Sequence, residues 1–223
     1  MAAQHRHSHL QPGNLLIVQE RDRMLAATLA HAGYRSLERL RAIDVGCGGG
    51  YNLRYLVQLG ATPANLAGVD ISANALAYCE SHSPGFRLHE CDAVTIPEPS
   101  ASFDLGLAFT LFSSIPSPGK CRDIAAEVLR VVRPGGLIVV YDMRRQNPAN
   151  RSVHPVTKND IRAWFPGCPV RSRSLTLLPQ LARAAPSLYW PLSRLPLLRT
   201  HLFHVIGRPL TRANLPDASR ARA

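Results

Sequence analysis

Apolar residues recur at helical intervals from Leu15 to Leu40, at Leu15, Val18, Leu25, Thr28, Leu29, Leu37 and Leu40, and Gly33 divides this stretch into two helical pieces. The pattern then shifts to that of a short strand, Ala42–Val45, which runs into Gly46-Cys47-Gly48-Gly49-Gly50 and a helix over Tyr51–Leu59. A second strand is predicted at Leu66–Asp70, followed by Ser72 as N-cap of a helix that continues through Cys79. Third and fourth strands fall at Phe86–Cys91 and Phe103–Phe109. The stretch Cys121–Val132 has helical spacing at Ile124, Val128, Leu129 and Val132, and Arg133-Pro134-Gly135-Gly136 stops it before a fifth strand, Leu137–Tyr141. Strands that alternate with helices predict an α/β fold with a mostly parallel sheet.

Past Asp142 the pattern loosens. Thr157–Phe165 reads as one short helix with Thr157 and Asp160 in a capping-box arrangement. Val170–Leu177 alternates Arg and Ser with apolar residues, as an exposed strand does, and His201–Gly207 reads as a last strand. Between them Pro179, Pro186, Pro191 and Pro196 exclude a long helix from a stretch that is nonetheless rich in leucine and carries Tyr189 and Trp190. The organisation expected is a flexible arm at 1–14, a single domain over 15–211 with 143–211 as a basic, variable cap, and a frayed tail at 212–223.

Composition narrows the class. A chain of 223 residues with 46% hydrophobic and 18% charged residues is long enough for a real core and too apolar to be wholly disordered. No apolar run approaches the roughly 18 residues of a membrane span, and the N-terminus has no apolar signal core, so a cytoplasmic domain is expected. Five scattered cysteines with no C-x-x-C pair fit a reducing compartment and give no zinc spacing; no metal site is expected. Charge is uneven: residues 1–142 carry 12 basic and 13 acidic side chains, whereas residues 143–223 carry 14 basic and 2 acidic. The cationic end suits an acidic partner, whether nucleic acid, a membrane surface or an anionic substrate, and equally suits a solvated arginine-rich face with no partner.

Asp44-Val45-Gly46-Cys47-Gly48-Gly49-Gly50 carries the strongest chemical signal. Glycines let the backbone turn sharply and approach a ligand, and the following helix presents free N–H groups. The dinucleotide pattern G-x-G-x-x-G fails because position 51 is Tyr, and no Gly-Lys-Ser/Thr closes a phosphate loop. The pattern D-x-G-x-G-x-G is filled at Asp44, Gly46, Gly48 and Gly50. In this the chain resembles the class I S-adenosylmethionine-dependent methyltransferases, over roughly residues 40–142.

The resemblance implies a Rossmann-like, doubly wound sheet of seven strands with one antiparallel strand near its edge, and S-adenosylmethionine as cofactor. It places Asp44, Gly46, Cys47, Gly48, Gly50, Asp70, Ile71, Asp92, Ala93 and Phe109 around that cofactor. Asp70 would face the ribose hydroxyls, where two carboxylate oxygens make charge-assisted bonds to a vicinal diol. Asp92 and the N–H of Ala93 would read the adenine edge. Cys47 reads as a small packed side chain rather than a reactive thiol.

The acceptor region lies after strands four and five in this architecture. Candidates there are Ser113, Ser114, Asp142, Arg144 and Arg145, with His154 as first choice for a general base beside Asp142. Tyr189 and Trp190 are expected to line an apolar acceptor pocket under a hydrophobic lid. His201 and His204 read as structural. The preferred reading is O- or N-methylation of a small molecule, such as a bacterial natural-product intermediate. RNA methylation ranks second, because the Asn/Asp-Pro-Pro-Tyr/Phe motif of base methylases is missing from Phe109–Ser114. A methyltransferase fold that binds cofactor without transfer, as a cyclase or partner-binding module, stays open. So does contact of the cap with an anionic membrane surface.

Overall fold

The computed structural model describes residues 8–146 and 153–210. Residues 1–7 of the expected arm and the whole of the expected tail at 212–223 lie outside the described residues. Seven strands form one sheet in the order β3-β2-β1-β4-β5-β7-β6. The strands are β1 (Ala42–Val45), β2 (Leu66–Asp70), β3 (Arg87–Glu90), β4 (Phe103–Phe109), β5 (Val132–Met143), β6 (Val170–Leu177) and β7 (Arg199–Gly207). The first five are parallel, and β7 runs antiparallel to both β5 and β6. The fold is therefore the Rossmann-like α/β class expected.

Helices cover both faces. They are α1 (Pro12–His31), α2 (Tyr51–Gln58), α3 (Ala73–His82), α4 (Pro118–Val131), α5 (Lys158–Trp164), α6 (Pro179–Ala184) and α7 (Tyr189–Ser193). One core joins Ile43, Val45, Ala67, Val69, Ile138 and Val140 to α4 and α5 through Ile124, Val128, Ile161 and Phe165. The other joins Ala42, Leu105, Leu107, Val139 and Tyr141 to the first three helices through Leu25, Leu29, Leu53, Leu56 and Leu76. Alternate strand residues point to opposite faces, so each strand feeds both cores.

Several boundaries differ from the expectation for physical reasons. Helix α1 starts at Pro12, inside the stretch read as an arm, because proline is tolerated in a first turn and Gln11 caps the Asn14 N–H at 3.1 Å. No helix forms over residues 34–40; Leu37 and Leu40 are buried from a turn, and their spacing mimics a helical stripe. Strand β5 begins at Val132, absorbing the Pro-Gly-Gly turn as an irregular segment whose register shifts against Phe103 and Leu105. The capping box at Thr157 and Asp160 forms as expected. Among the described residues, no helix is long and apolar enough to cross a membrane.

Candidate functional site

The chain order reverses between β1 and β4: β2 and β3 lie on one side of β1, and β4 and β5 on the other. Ligands of open α/β sheets bind at such a switch point, beyond the carboxyl ends of the strands. Here the glycine loop emerges. The N–H groups of Gly46 and Cys47 both donate to the Val69 carbonyl, at 2.7 and 3.0 Å, which folds the loop back over β2. Gly46, Gly48 and Gly50 have φ of +75°, +50° and +78°, the left-handed region that glycine alone enters without strain.

Two of these glycines serve different ends. A Cβ on Gly50 would lie 2.2 Å from Cys79 Sγ, so this position is set by packing against α3. A Cβ on Gly48 would meet nothing within 4 Å, so the loop leaves a cradle open to solvent there. Cys47 is buried with its sulfur against Gly68, and burial pushes its thiol well up, so it is unreactive at neutral pH.

Three carboxylates line the ends of β1, β2 and β3. Asp44 is fully buried, accepts from Asn52 Nδ2 at 3.1 and 3.3 Å, and touches no cation among the described residues. Burial raises it to about 7; the Asn52 bond and the charge of Arg21 act against that rise. Asp70 is fixed by two backbone donors, Gly48 N–H at 2.8 Å and Ser72 N–H at 2.9 Å. Next to it Ile71 is 71% exposed, an apolar residue presented at the mouth of the loop. Asp92 accepts from Lys120 Nζ at 2.7 Å and from the Val94 N–H at 3.3 Å, and the Lys120 bond holds it below the usual carboxylate range. Ala93 is buried beside it.

Helix α1 roofs the loop, which the sequence reading missed. Arg21 pairs with Asp22 at 3.0 Å and stacks over the rings of Tyr51 at 4.7 Å and Phe109 at 5.5 Å. Asp22 accepts the Tyr51 hydroxyl at 2.7 Å, and its carbonyl accepts Tyr55 Oη at 2.9 Å. A signal was present: Asp22 interrupts the apolar stripe Val18, Leu25, Leu29, and a carboxylate on a core-facing position needs a partner.

Beyond β4 and β5 an aromatic floor continues from Phe109 to Tyr141 and His201. The first pair of rings is 5.5 Å apart, and the second is stacked at 4.7 Å within 6° of parallel. Tyr141 Oη bonds Thr176 Oγ1 at 2.6 Å, and the Thr176 N–H and the Tyr189 hydroxyl both donate to Glu20 Oε2 at 2.8 Å. Burial lowers His201 to about 4, helped by Arg21, so the imidazole is neutral at physiological pH. Thr110, at the end of β4, and Thr176 hold φ of +53° and +68°. For β-branched residues that is strain, and it sits on both sides of this floor.

The structure places the remaining candidates unevenly. Asp142 is fully buried and accepts the N–H groups of Ser113 at 3.1 Å and Met143 at 3.0 Å; burial raises it to about 6. His154 is exposed, and its N–H donates to the Ser113 carbonyl at 2.8 Å. Asp142, Ser113 and His154 are thus brought together, with Asp142 acting as a peg for the turn at Phe112–Ser114. Ser114 Oγ donates to the Thr110 carbonyl at 3.0 Å.

The Arg144 N–H donates to the Thr200 carbonyl at 2.9 Å. Arg145 and Arg199 donate to main-chain carbonyls of the cap, at Leu197 and Ser174. Tyr189 is fully buried against Glu20 and packs with Leu177 and Ala182, so its ring belongs to a small core rather than an open wall. Trp190 is 39% exposed under the guanidinium of Arg23, 5.1 Å from the ring centre.

The donor set fits S-adenosylmethionine. The open cradle at Gly48 admits a ligand close to the backbone, Asp70 and Asp92 keep acceptor capacity for hydroxyl and amino donors, and exposed Ile71 offers an apolar contact for a purine. A ligand cation would favour the charged form of Asp44, which burial otherwise disfavours, and the Arg21 guanidinium favours a ligand carboxylate.

Comparisons with known proteins agree. Residues 43–140 match the family described as Methyltransferase domain. The ubiquinone biosynthesis O-methyltransferase of Burkholderia lata is 31% identical over 111 residues, a match covering 47% of this chain and 45% of that protein. The malonyl-[acyl-carrier protein] O-methyltransferase of Pectobacterium atrosepticum is 32% identical over 120 residues, covering 52% and 42%. The chain thus spans less than half the length of these relatives. Among solved structures, a putative sarcosine dimethylglycine methyltransferase from Galdieria sulphuraria superposes with a TM-score of 0.66 at 16% identity, over 85% of each chain. Loop, acids, sheet order and family match coincide, and the stretch over residues 43–140 belongs to the class I S-adenosylmethionine-dependent methyltransferases.

Proposed function

We propose that this chain transfers a methyl group from S-adenosylmethionine to an oxygen of a small-molecule acceptor. The observation that carries this reading is the row of Asp44, Asp70 and Asp92 at the carboxyl ends of adjacent parallel strands, around the open cradle of Gly48. The cofactor supplies a sulfonium-activated methyl group suited to in-line displacement. The chain's work is to hold and orient. Asp70 and the glycine loop fix one end, Arg21 and Asp44 the other, and the Phe109–Tyr141–His201 floor gives the acceptor an apolar, aromatic bed. Orientation of this kind supplies about 7–11 kcal/mol in favourable cases.

The aromatic floor supports a flat or apolar acceptor of the kind found among bacterial secondary metabolites. The names of the relatives support oxygen over nitrogen. Where the acceptor must lose a proton, His154, whose backbone N–H is tied to the turn held by Asp142, stands beside this region as the base. Five free cysteines suit action in the cytoplasm. Leu188, Leu195 and Leu197 are exposed on the cap near Arg194, and this supports a peripheral contact with anionic lipid, to be read by vesicle co-sedimentation.

Calorimetry with S-adenosylmethionine and S-adenosylhomocysteine tests the core of the reading, with Asp70→Asn as a variant that keeps an acceptor for the Gly48 N–H. Micromolar binding, weakened at least tenfold in the variant, is expected. A folded wild type that binds neither compound overturns the reading. Transfer of labelled methyl to phenolic or carboxylate acceptors, insensitive to nuclease, then separates a small molecule from RNA and an enzyme from a binder.

A further inference from the structure

A groove of about 760 Å³ opens on the α1 face of the sheet over β5, β7 and β6, to the side of the cofactor site, with Phe203 at its upper end packed on Phe109. Helix α1 ends at His31 and the chain turns away through Gly33, whose φ is +92°, so among the described residues nothing covers the lower ends of β5, β7 and β6 on that face. Small residues on the helix, Ala27 and Thr28, leave the space; Phe203 and Val205 of β7 and Leu137 of β5 form its floor. In register Asp44 is level with Leu107 and Val139, so Leu137 stands two residues, about 7 Å along the strand direction, below Asp44 of β1, with β4 between them.

The groove has one charged wall. Arg171 and Arg173 alternate on β6 and pair in register with Val205 and Phe203, which places both on the groove face roughly 7 Å apart. Both are exposed, and among the described residues neither forms an ion pair. Among the described residues no acidic side chain lines the space. Elsewhere the cap spends its arginines on its own backbone, as Arg145 and Arg199 do; these two are left facing an apolar slot.

We propose that this groove is a second binding site, and that it takes an anionic amphiphile: an aliphatic chain along Phe203, Val205 and Leu137, with a carboxylate headgroup on Arg171 and Arg173. The volume lies within the 300–1,000 Å³ of small-ligand sites, and the guanidinium fork matches a carboxylate bidentately. A second copy of the chain added along the outer edge of β6 would bring like charges close together, and like charges across strands repel. The inference stands apart from the methyl-transfer reading, and either can fail without the other.

Calorimetry on the full chain with dodecanoate, below its micelle concentration, is the test. Dodecyl phosphate and dodecyltrimethylammonium serve as comparison ligands. Expected is saturable one-to-one binding of dodecanoate, weakened at least tenfold by Arg171→Glu with Arg173→Glu, and weakened also by Ala27→Leu, which fills the slot. Both variants should keep the wild-type affinity for S-adenosylmethionine, which reports that they fold. No binding to the wild type, unchanged binding in both variants, or equal binding of the cationic amphiphile overturns the site. Tighter binding of dodecyl phosphate overturns the carboxylate headgroup.

Discussion

The cofactor half of this molecule and its cap are built by different means. Between Ala42 and Met143 the chain is mildly acidic, with 6 basic and 10 acidic side chains, and its shape is set by local rules: parallel strands, short crossovers, Ser72 and Ser117 as N-caps, and glycines where the backbone must turn left-handed. From Arg144 onward, helices are a turn or two long, and order comes from distant polar anchors. Glu20, on the first helix, holds Thr176 and Tyr189 across 156 and 169 residues of chain, and arginines pin the cap's own carbonyls. One half binds through its backbone, and the other encloses through its side chains.

That contrast can be broken from the backbone side first. Gly50→Ala meets Cys79 Sγ at 2.2 Å in a left-handed conformation, whereas Gly48→Ala meets nothing within 4 Å. The first should cost about 3–4 kcal/mol and the second about 1–2 kcal/mol in denaturant unfolding. Equal losses would show that packing against α3 does not set the loop.

On the cap side, Glu20→Ala removes a carboxylate with two donors and should cost about 3 kcal/mol. It should expose the segment around Leu178 to limited proteolysis while leaving the affinity for S-adenosylmethionine within about threefold. A tenfold loss of that affinity would erase the distinction between the two halves.

Asp44→Asn should do the reverse and stabilise the ligand-free protein at pH 8 by about 2 kcal/mol, at the expense of cofactor binding. The sign follows from its pKa. Asp44 is raised to about 7 in the folded chain against roughly 4 when unfolded, so the folded state holds the extra proton between those values. Its contribution is full below pH 4 and is lost as pH rises through 7. Asp142, raised to about 6, acts in the same direction, and Asp44→Asn should flatten only part of the wild-type decline measured by thermal unfolding from pH 4 to 8. Smallest of all, Lys120→Met breaks an ion pair whose side chains are 39% and 40% exposed, and should change stability by less than about 1 kcal/mol. Its effect belongs in the affinity for the cofactor, where Asp92 is freed.

The sequence was legible where the physics is local. The glycine pattern, Asp70 after β2, the capping box at Thr157 and the bounds of β4 and β6 follow from turn chemistry and residue period, and all of them form. What escaped was set over long distances. Arg21, Asp22 and Glu20 drew no reading from the sequence, because their partners Tyr51, Phe109, Thr176 and Tyr189 lie far along the chain. Leu37 and Leu40 copied a helical period without making a helix. The charge of the last third could not reveal that some arginines serve the fold and others face a groove.

The Glu20 anchor carries a consequence for how the protein is made. Helix α1 leaves the ribosome well over a hundred residues before the groups that satisfy its carboxylate, which are donated by residues 176 and 189. Gly13, near its start, likewise lies against the carbonyl of Ala182. Helix α1 must therefore wait, half docked, until synthesis has passed Tyr189. A nascent chain stalled before Tyr189 exposes an unpaired acid and an apolar stripe, and that is the length at which a chaperone should find it.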